Sequence, residues 1–263
     1  MHEVGRKMSD RPSITVASYN MRKALGTDRK RRPDRVLDVL REIDADVVAL
    51  QEADRRFGGR ASAVPHDLIH GTSAYKPVPL GVRHVRWLER IPGGHHAERL
   101  LKVDTHNIGW HGNAILVKRD VGVMDAVALT LPTLEPRGAV LAELLINDLP
   151  LRVIGMHLDL SGLWRRRQMR AILQTINERP HKMPTILMGD TNEWRTAAGC
   201  LRDLGPHFRL APTGPSFHSR RPFAPLDRII VCDELQIESC GAFHSEAARM
   251  ASDHLPVWAR LIA

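Results

Sequence analysis

Repeatedly along this chain, a short apolar run stops or starts at a residue that binds metals or moves protons. Residues 14–20 (ITVASYN) are rich in β-formers and end at Asn20, and 46–50 (DVVAL) ends at Gln51-Glu52. Residues 151–156 stop at His157, and 185–188 run into Gly189-Asp190-Thr191-Asn192. Asp227 opens 228–231, and Asp253-His254 stands just ahead of 257–261. Polar side chains at strand ends are where an α/β scaffold displays its chemistry. The chain is therefore constrained to a fold that brings many strand ends to one place.

The segments between these runs agree with that demand. Pro33 opens a helix with Val36, Leu37, Leu40 and Ile43 on one stripe. A right-handed parallel crossover through it puts Asn20 and Glu52 at equivalent ends of neighbouring strands. Residues 113–117 read as a strand, and 139–146 with 151–156 as a hairpin around Asn147-Asp148. Trp164, Ile172, Leu173 and Ile176 mark a helix carrying Arg165-Arg166-Arg167, and a further helix is expected near 196–204. Two helix-bearing halves, each with several strands, predict two packed sheets with helices outside. At 263 residues the expectation is one domain over 13–263, after a disordered polar lead over 1–12 without a secretory apolar segment. No apolar run approaches the roughly 20 residues of a membrane helix, so the reading is a cytoplasmic monomer without stable membrane insertion.

The formal charge of +8 favours an anionic partner, whether nucleic acid, acidic lipid or a small phosphoester. Basic clusters at 29–32, 165–167 and 220–221 are equally well read as solvated faces or as phosphate-steering patches. Aromatics make up only 5% of the chain, so no base-stacking platform is evident. Cys200, Cys232 and Cys240 are odd in number and lack CxxC spacing, which argues against a disulfide framework or a structural zinc site. Histidines concentrate between His66 and His111, but only the adjacent His95-His96 hints at a ligand pair, and a substrate-side flap is the favoured reading.

The strand-end residues have a common chemistry. Carboxylate and amide oxygens are what Mg²⁺ or Mn²⁺ prefers, and cysteine is absent from the set. Glu52 is the best single metal ligand, with Asn20 and Asp253 beside it. Asp190, held by Asn192, is placed to orient and deprotonate a water, and His254 paired with Asp227 to bind a pentacoordinate phosphate. Singly, each residue has an ordinary explanation, such as an Asx turn, a cap, an ion pair or a core histidine. Those explanations fail jointly, because the same residue types recur at the same structural place.

Ser18-Tyr19-Asn20, Leu50-Gln51-Glu52, Gly112-Asn113-Ala114, Met156-His157-Leu158, Gly189-Asp190-Thr191-Asn192, Leu226-Asp227-Arg228 and Ser252-Asp253-His254-Leu255-Pro256 resemble the ordered motifs of the endonuclease/exonuclease/phosphatase superfamily. The resemblance runs from about 14 to 261. It implies a DNase I-like four-layer α/β sandwich and Mg²⁺-dependent phosphoester hydrolysis by direct attack of water. In that pattern Asn20 and Glu52 bind metal, Asp190 and Asn192 handle the nucleophile, Asp227 orients His254, and Asp253 lies at or near the metal. Asn113, Arg165 and Arg166 are the candidate substrate-binding residues. Abasic-site endonucleases usually carry Tyr where His157 stands and a Lys soon after Gln-Glu, so abasic-site repair is disfavoured. His157 is more similar to the branches with DNase I, sphingomyelinases and inositol phosphatases, where it would be an acid toward the leaving oxygen. Small bacterial members with a similar start include some associated with phospholipid metabolism. The expectation is a nuclease, with a phosphodiesterase or phosphatase for phospholipid head groups or small phosphoesters as the alternative. A non-catalytic protein retaining the fold would have lost site positions, and none is missing.

Overall fold

The computed structural model describes residues 12–54, 62–80, 109–132, 137–196 and 198–263. The first eleven residues of the expected lead, and the His95-His96 pair, lie outside these. Strands β1 (Ser13–Asn20) and β2 (Val47–Gln51) run parallel through helix α1 (Pro33–Ile43), as the opening pattern predicts. Pro33 sits in the first turn, where its missing N–H costs nothing, and Asp44 ends the helix in a left-handed conformation. Helix α2 (His66–Thr72), β3 (Tyr75–Pro77) and β4 (Ala114–Lys118) follow. Next come β5 (Gly122–Thr130), β6 (Gly138–Ile146) and β7 (Leu149–His157), then α3 (Gly162–Glu178) and β8 (Thr185–Asp190). The chain closes with β9 (Phe208–Leu210), β10 (Asp227–Cys232), β11 (Gln236–Ala242), α4 (Glu246–Ala251) and β12 (Val257–Ile262).

One six-stranded sheet has the order β11-β12-β1-β2-β4-β3, and the other β5-β6-β7-β8-β10-β9. The expected hairpin forms as β6–β7, with Ile146 opposite Leu149. Asn147 and Asp148 both take positive φ (50° and 65°), the conformation that a two-residue turn with strand-matched twist requires. The helix expected near 196–204 is only a 3-10 segment, Gly199–Asp203. Gly199 there has φ 56°, and the turn tucks Cys200 and Leu201 into the core, where a longer helix would not follow.

Period-2 alternation divides each strand between two faces. Val16, Val47, Ala49, Ile115 and Val117 of one sheet meet Val140, Val153, Ile186, Met188 and Ile229 of the other in the central core. The alternate residues point outward. Ala17, Tyr19, Val48 and Leu116 pack under α1 and α4, and Leu141, Ile154, Leu187 and Ile230 pack under Met169 and Ile172 of α3. The result is the expected α/β/β/α sandwich.

The same parity fixes the site. Continuing the inward positions to the strand ends gives Asn20 (14, 16, 18, 20), Gln51, His157 and Asp190, with Asn113 and Asp227 ahead of their inward neighbours Ile115 and Ile229. Because β4 and β10 run antiparallel to β2 and β8, their starts lie at the same edge as the other strands' ends. His157 and Asp227 flank Asp190 directly in register.

Gly189, one residue before Asp190, sits where the β7 backbone comes too near for any side chain. A Cβ there would lie 1.8 Å from the carbonyl oxygen of Met156. Gly189→Ala is expected to destabilise the protein by about 1–3 kcal/mol, as overpacking against immovable backbone does. Denaturant unfolding measures it, and wild-type stability in this variant would contradict the close approach.

Candidate active site

Asp190 is the centre of the convergence. Its Oδ1 accepts the Asn192 N–H (2.9 Å), and its Oδ2 accepts Nδ2 of Asn20 (2.9 Å) from the opposite sheet. Asn192, at φ 50°, turns the chain sharply and donates through Nδ2 to the carbonyl of Leu158 (2.9 Å), so the loop after β8 is tied to the end of β7. Burial and the neighbouring Asp227 charge push the Asp190 carboxyl up to about 6, against the pull of His254 and of these donors.

His254 Nδ1 stands 2.8 Å from Asp227 Oδ2, and its Nε2 lies 3.9 Å from Asp190 Oδ2. Ser216 Oγ donates to the same Asp227 oxygen (2.5 Å), fixing the carboxylate that fixes the ring. Burial alone would lower the His254 imidazole, but the Asp227 charge and hydrogen bond, joined by Asp190 and Asp253, raise it to about 10. The ring is therefore a cation at neutral pH, with Nε2–H facing Asp190.

His157 is buried, with Nε2 3.5 Å from Asp190 Oδ2. Arg137, at the start of β6, places Nη1 2.5 Å from the same Nε2. Arginine only donates, so Nε2 must accept and the ring proton sits on Nδ1. An acid role at that nitrogen, as the resemblance implies for His157, would require Arg137 to release it first.

Glu52 and Asp253 lie at the mouth, about one-fifth exposed, and each has a cationic neighbour: Lys23 Nζ is 3.1 Å from Glu52 Oε2, and Arg22 Nε is 3.2 Å from Asp253 Oδ2. Asn20 stands between the two groups, with its Oδ1 accepting the Arg22 N–H (3.1 Å). Asn113 is fully buried, donating to the carbonyl of Gly138 (2.8 Å), and its Oδ1 has no hydrogen-bond partner among the described residues. Asp227 Oδ1 is likewise buried and unpartnered. Such orphaned acceptors suit a cation, an ordered water or a substrate donor.

Two places offer ligands for a cation. Asp190, Asp227 and His254 bring one donor atom each within 4.8 Å of one another. A charged His254 with Nδ1 on Asp227 offers no lone pair there, so that trio suits a water or phosphoryl oxygen better. The Asn20, Glu52 and Asp253 oxygens match the hard-cation donor set.

The two candidate arginines are not brought into this group. Arg165 is buried, donating to the carbonyl of Leu160 (2.6 Å) and pairing with Glu193 (3.2 Å); Arg166 chelates Asp203 (2.9 and 3.0 Å). They tie α3 to the loop after β8 and to the 3-10 segment. A run of arginines on a helix says nothing about which acids the fold will bring opposite it.

Sequence reading missed Arg137, Ser216 and an aromatic group. Arg137 precedes a strand start just as Asp227 opens one, so the same signal was available. Ser216 has no such signal. The aromatic rings assemble from separate loops: Trp194 and Phe223 are exposed with centroids 5.8 Å apart, Phe223 is 5.8 Å from Phe217, and Phe217 is 5.0 Å from the His254 ring. Composition could not reveal this patch, because it depends on placement and not on number.

A sequence model described as the Endonuclease/Exonuclease/phosphatase family matches residues 17–254. The uncharacterized protein YbhP of Escherichia coli K12 is 24% identical over 269 residues, covering 95% of this chain and 96% of that protein. Among solved structures, the mannosyl-6-phosphatase of Bacteroides thetaiotaomicron aligns with a TM-score of 0.69 at 18% identity, covering 95% of this chain and 100% of that one. D. rerio TDP2 complexed with single strand DNA product aligns at 0.62 and 16%, covering 95% and 99%. Among the described residues no helix is long and apolar enough to cross a membrane.

The raised His254 pKa gives a titration with a definite sign. Its charge contributes stability that is complete below the ordinary histidine value and is lost as pH rises through about 10. Histidine NMR should place the His254 midpoint near 10, and Asp227→Asn should bring it down. An unchanged midpoint in that variant would mean that Asp227 is not what holds the proton.

Proposed function

The chain belongs to the endonuclease/exonuclease/phosphatase family, whose members are phosphoester hydrolases, and on that premise we propose that it is a Mg²⁺- or Mn²⁺-dependent phosphodiesterase using direct attack by water. The observation that carries the proposal is the buried carboxylate of Asp190, held by Asn20 and Asn192 and faced by a charged histidine. Asp190 accepts the proton of the attacking water, and Asn192 holds the loop that aims it. A carboxyl raised to about 6 is ionised at neutral pH yet basic enough to do so. His254, kept protonated by Asp227, donates to a phosphoryl oxygen as negative charge builds there.

Glu52, Asp253 and Asn20 would hold the divalent ion, which would supply Lewis-acid stabilisation of the phosphoryl group. Arg137 lines the inner wall and contacts the substrate phosphate, a role its buried guanidinium supports, while the unpartnered amide oxygen of Asn113 accepts from a substrate hydroxyl or a water.

For the substrate, the exposed Trp194 and Phe223 support a phosphodiester bearing flat rings, and nucleic acid is the favoured class. Exposed Arg195, Arg220 and Arg221, close in sequence to those rings, add positive charge. The second reading, a phosphatase or phosphodiesterase for small phosphoesters or lipid head groups, has support from Arg137 beside His157, a buried cation suited to a monoester dianion. The mannosyl-6-phosphatase with the same fold is consistent with it.

The deciding assay sets plasmid DNA, single-stranded DNA, RNA, phosphatidyl lipids, inositol phosphates and bis-p-nitrophenyl phosphate against Mg²⁺ and Mn²⁺. Nucleic-acid cleavage without lipid or monoester cleavage is expected; the converse transfers the assignment to the second reading. Asp190→Ala is expected to lower turnover by roughly 10²–10⁴-fold with the fold intact, and near wild-type turnover would sink the mechanism.

A further inference from the structure

The residues just after β1 have an unusual backbone. Arg22, Lys23 and Ala24 take positive φ in succession (46°, 55° and 59°), a left-handed turn that side chains with a Cβ disfavour. The turn is secured on several sides. The Met21 N–H donates to the carbonyl of Gln51 (3.1 Å), and the Lys23 N–H to the carbonyl of Glu52 (3.1 Å). Arg22 N–H reaches Asn20 Oδ1, and the Lys23 carbonyl accepts from Arg31 (2.8 Å). The outcome is that two adjacent basic residues point at two different carboxylates, Glu52 and Asp253, from segments about 200 residues apart.

We propose that Lys23 and Arg22 are resident counter-cations of the metal-ligand carboxylates, so that a divalent ion binds by displacing them and their strength sets the affinity of the site. This rests on the reading above that Glu52 and Asp253 hold the metal. The backbone is locked, but the ammonium and guanidinium are not. Their side chains are 30% and 36% exposed, against 2% for Arg152 in its ion pair with Glu143 in the second sheet. A partly exposed pair is weak and separates into water at little cost, whereas a buried one does not. A divalent ion brings more charge at shorter range than an ammonium, and so prevails once its concentration is sufficient. Without the ion, the two cations neutralise Glu52 and Asp253 where they stand. A chance surface pair needs no left-handed turn, and two chance pairs would not fall on both proposed ligands.

The test is calorimetric titration of Mn²⁺ and Mg²⁺ into the metal-free full chain, without substrate. Lys23→Met is expected to bind Mn²⁺ about fivefold more tightly, and to melt at a lower temperature than wild type before the ion is added. Lys23→Arg should stay within about twofold of wild type, since it keeps the cation on Glu52. Arg22→Gln reads the Asp253 side in the same way and serves if Lys23→Met does not fold. Unchanged or weaker binding in a folded Lys23→Met or Arg22→Gln overturns the proposal. Glu52→Gln separates the two failures: wild-type Mn²⁺ affinity in that variant means the metal is not on Glu52, and the metal reading falls together with this inference.

Discussion

Asn20 and Asp190 lie 170 residues apart, in different sheets, and meet in one hydrogen bond of 2.9 Å across the gap between the sheets. That contact is possible only because both side chains point inward, and they point inward because the parity that buries Val16 and Met188 in the central core continues to the strand ends. A one-residue slip of either strand would turn its end residue onto the outer face, under α1 or α3. Strand register is therefore what the site depends on, and the apolar core enforces that register. The buried amide–carboxylate bond in turn holds the two sheets at a fixed spacing where the core runs out.

Bringing so many polar groups together has an electrostatic cost. Asp190, Asp227 and His254 are buried, and burial first, then repulsion from Asp227, raises the Asp190 carboxyl. The fold limits the cost by pairing: Asp227 with His254 and Ser216, Asp190 with amide donors from both sheets. The Arg152–Glu143–Arg179 cluster of the second sheet shows the other use of buried charge. There burial raises the Glu143 carboxyl and two guanidiniums more than reverse it, so it stays below its ordinary value. No acceptor in that cluster is shared with a group poised to change its proton, and it joins β6, β7 and the end of α3 without chemistry.

How much could be read from the sequence follows from this division. Strand-end chemistry was legible because alternation and chain direction are local properties: Asn20, His157, Asp190, Asp227 and His254 stand beside their apolar runs and meet around Asp190, while Glu52 and Asp253 stand on Lys23 and Arg22. The edge strands β5 and β11 were not legible. Exposed residues interrupt their apolar pattern and each contains a register shift, so neither gives a clean two-residue period. The arginines misled for a related reason. Arg165 and Arg166 look free in sequence, but Glu193 and Asp203 reach them only through the packing of α3. Arg137 meets neither difficulty; it leads into a strand whose far end lies away from the site, although its start lies beside His157.

Backbone strain has the same distribution as function. Of the ten described non-glycine residues with positive φ, Asp44, Asn147 and Asp148 serve a helix end and a hairpin, and Arg29 a loop. Of the other six, Arg22, Lys23, Ala24, Glu52 and Asn192 follow strands that stop at the site, and His111 precedes the start of β4. A strand that ended in relaxed extended backbone would carry its next residue onward in line, past the gap. A left-handed residue instead turns the chain within one step, which lets Glu52 and Asn192 cap the mouth while Gln51 and Asp190 still belong to the sheets. Such positions persist only where the surroundings over-determine them. Here the surroundings are two sheets fully packed against each other, so the rigidity of the core and the sharpness of the site have a single cause.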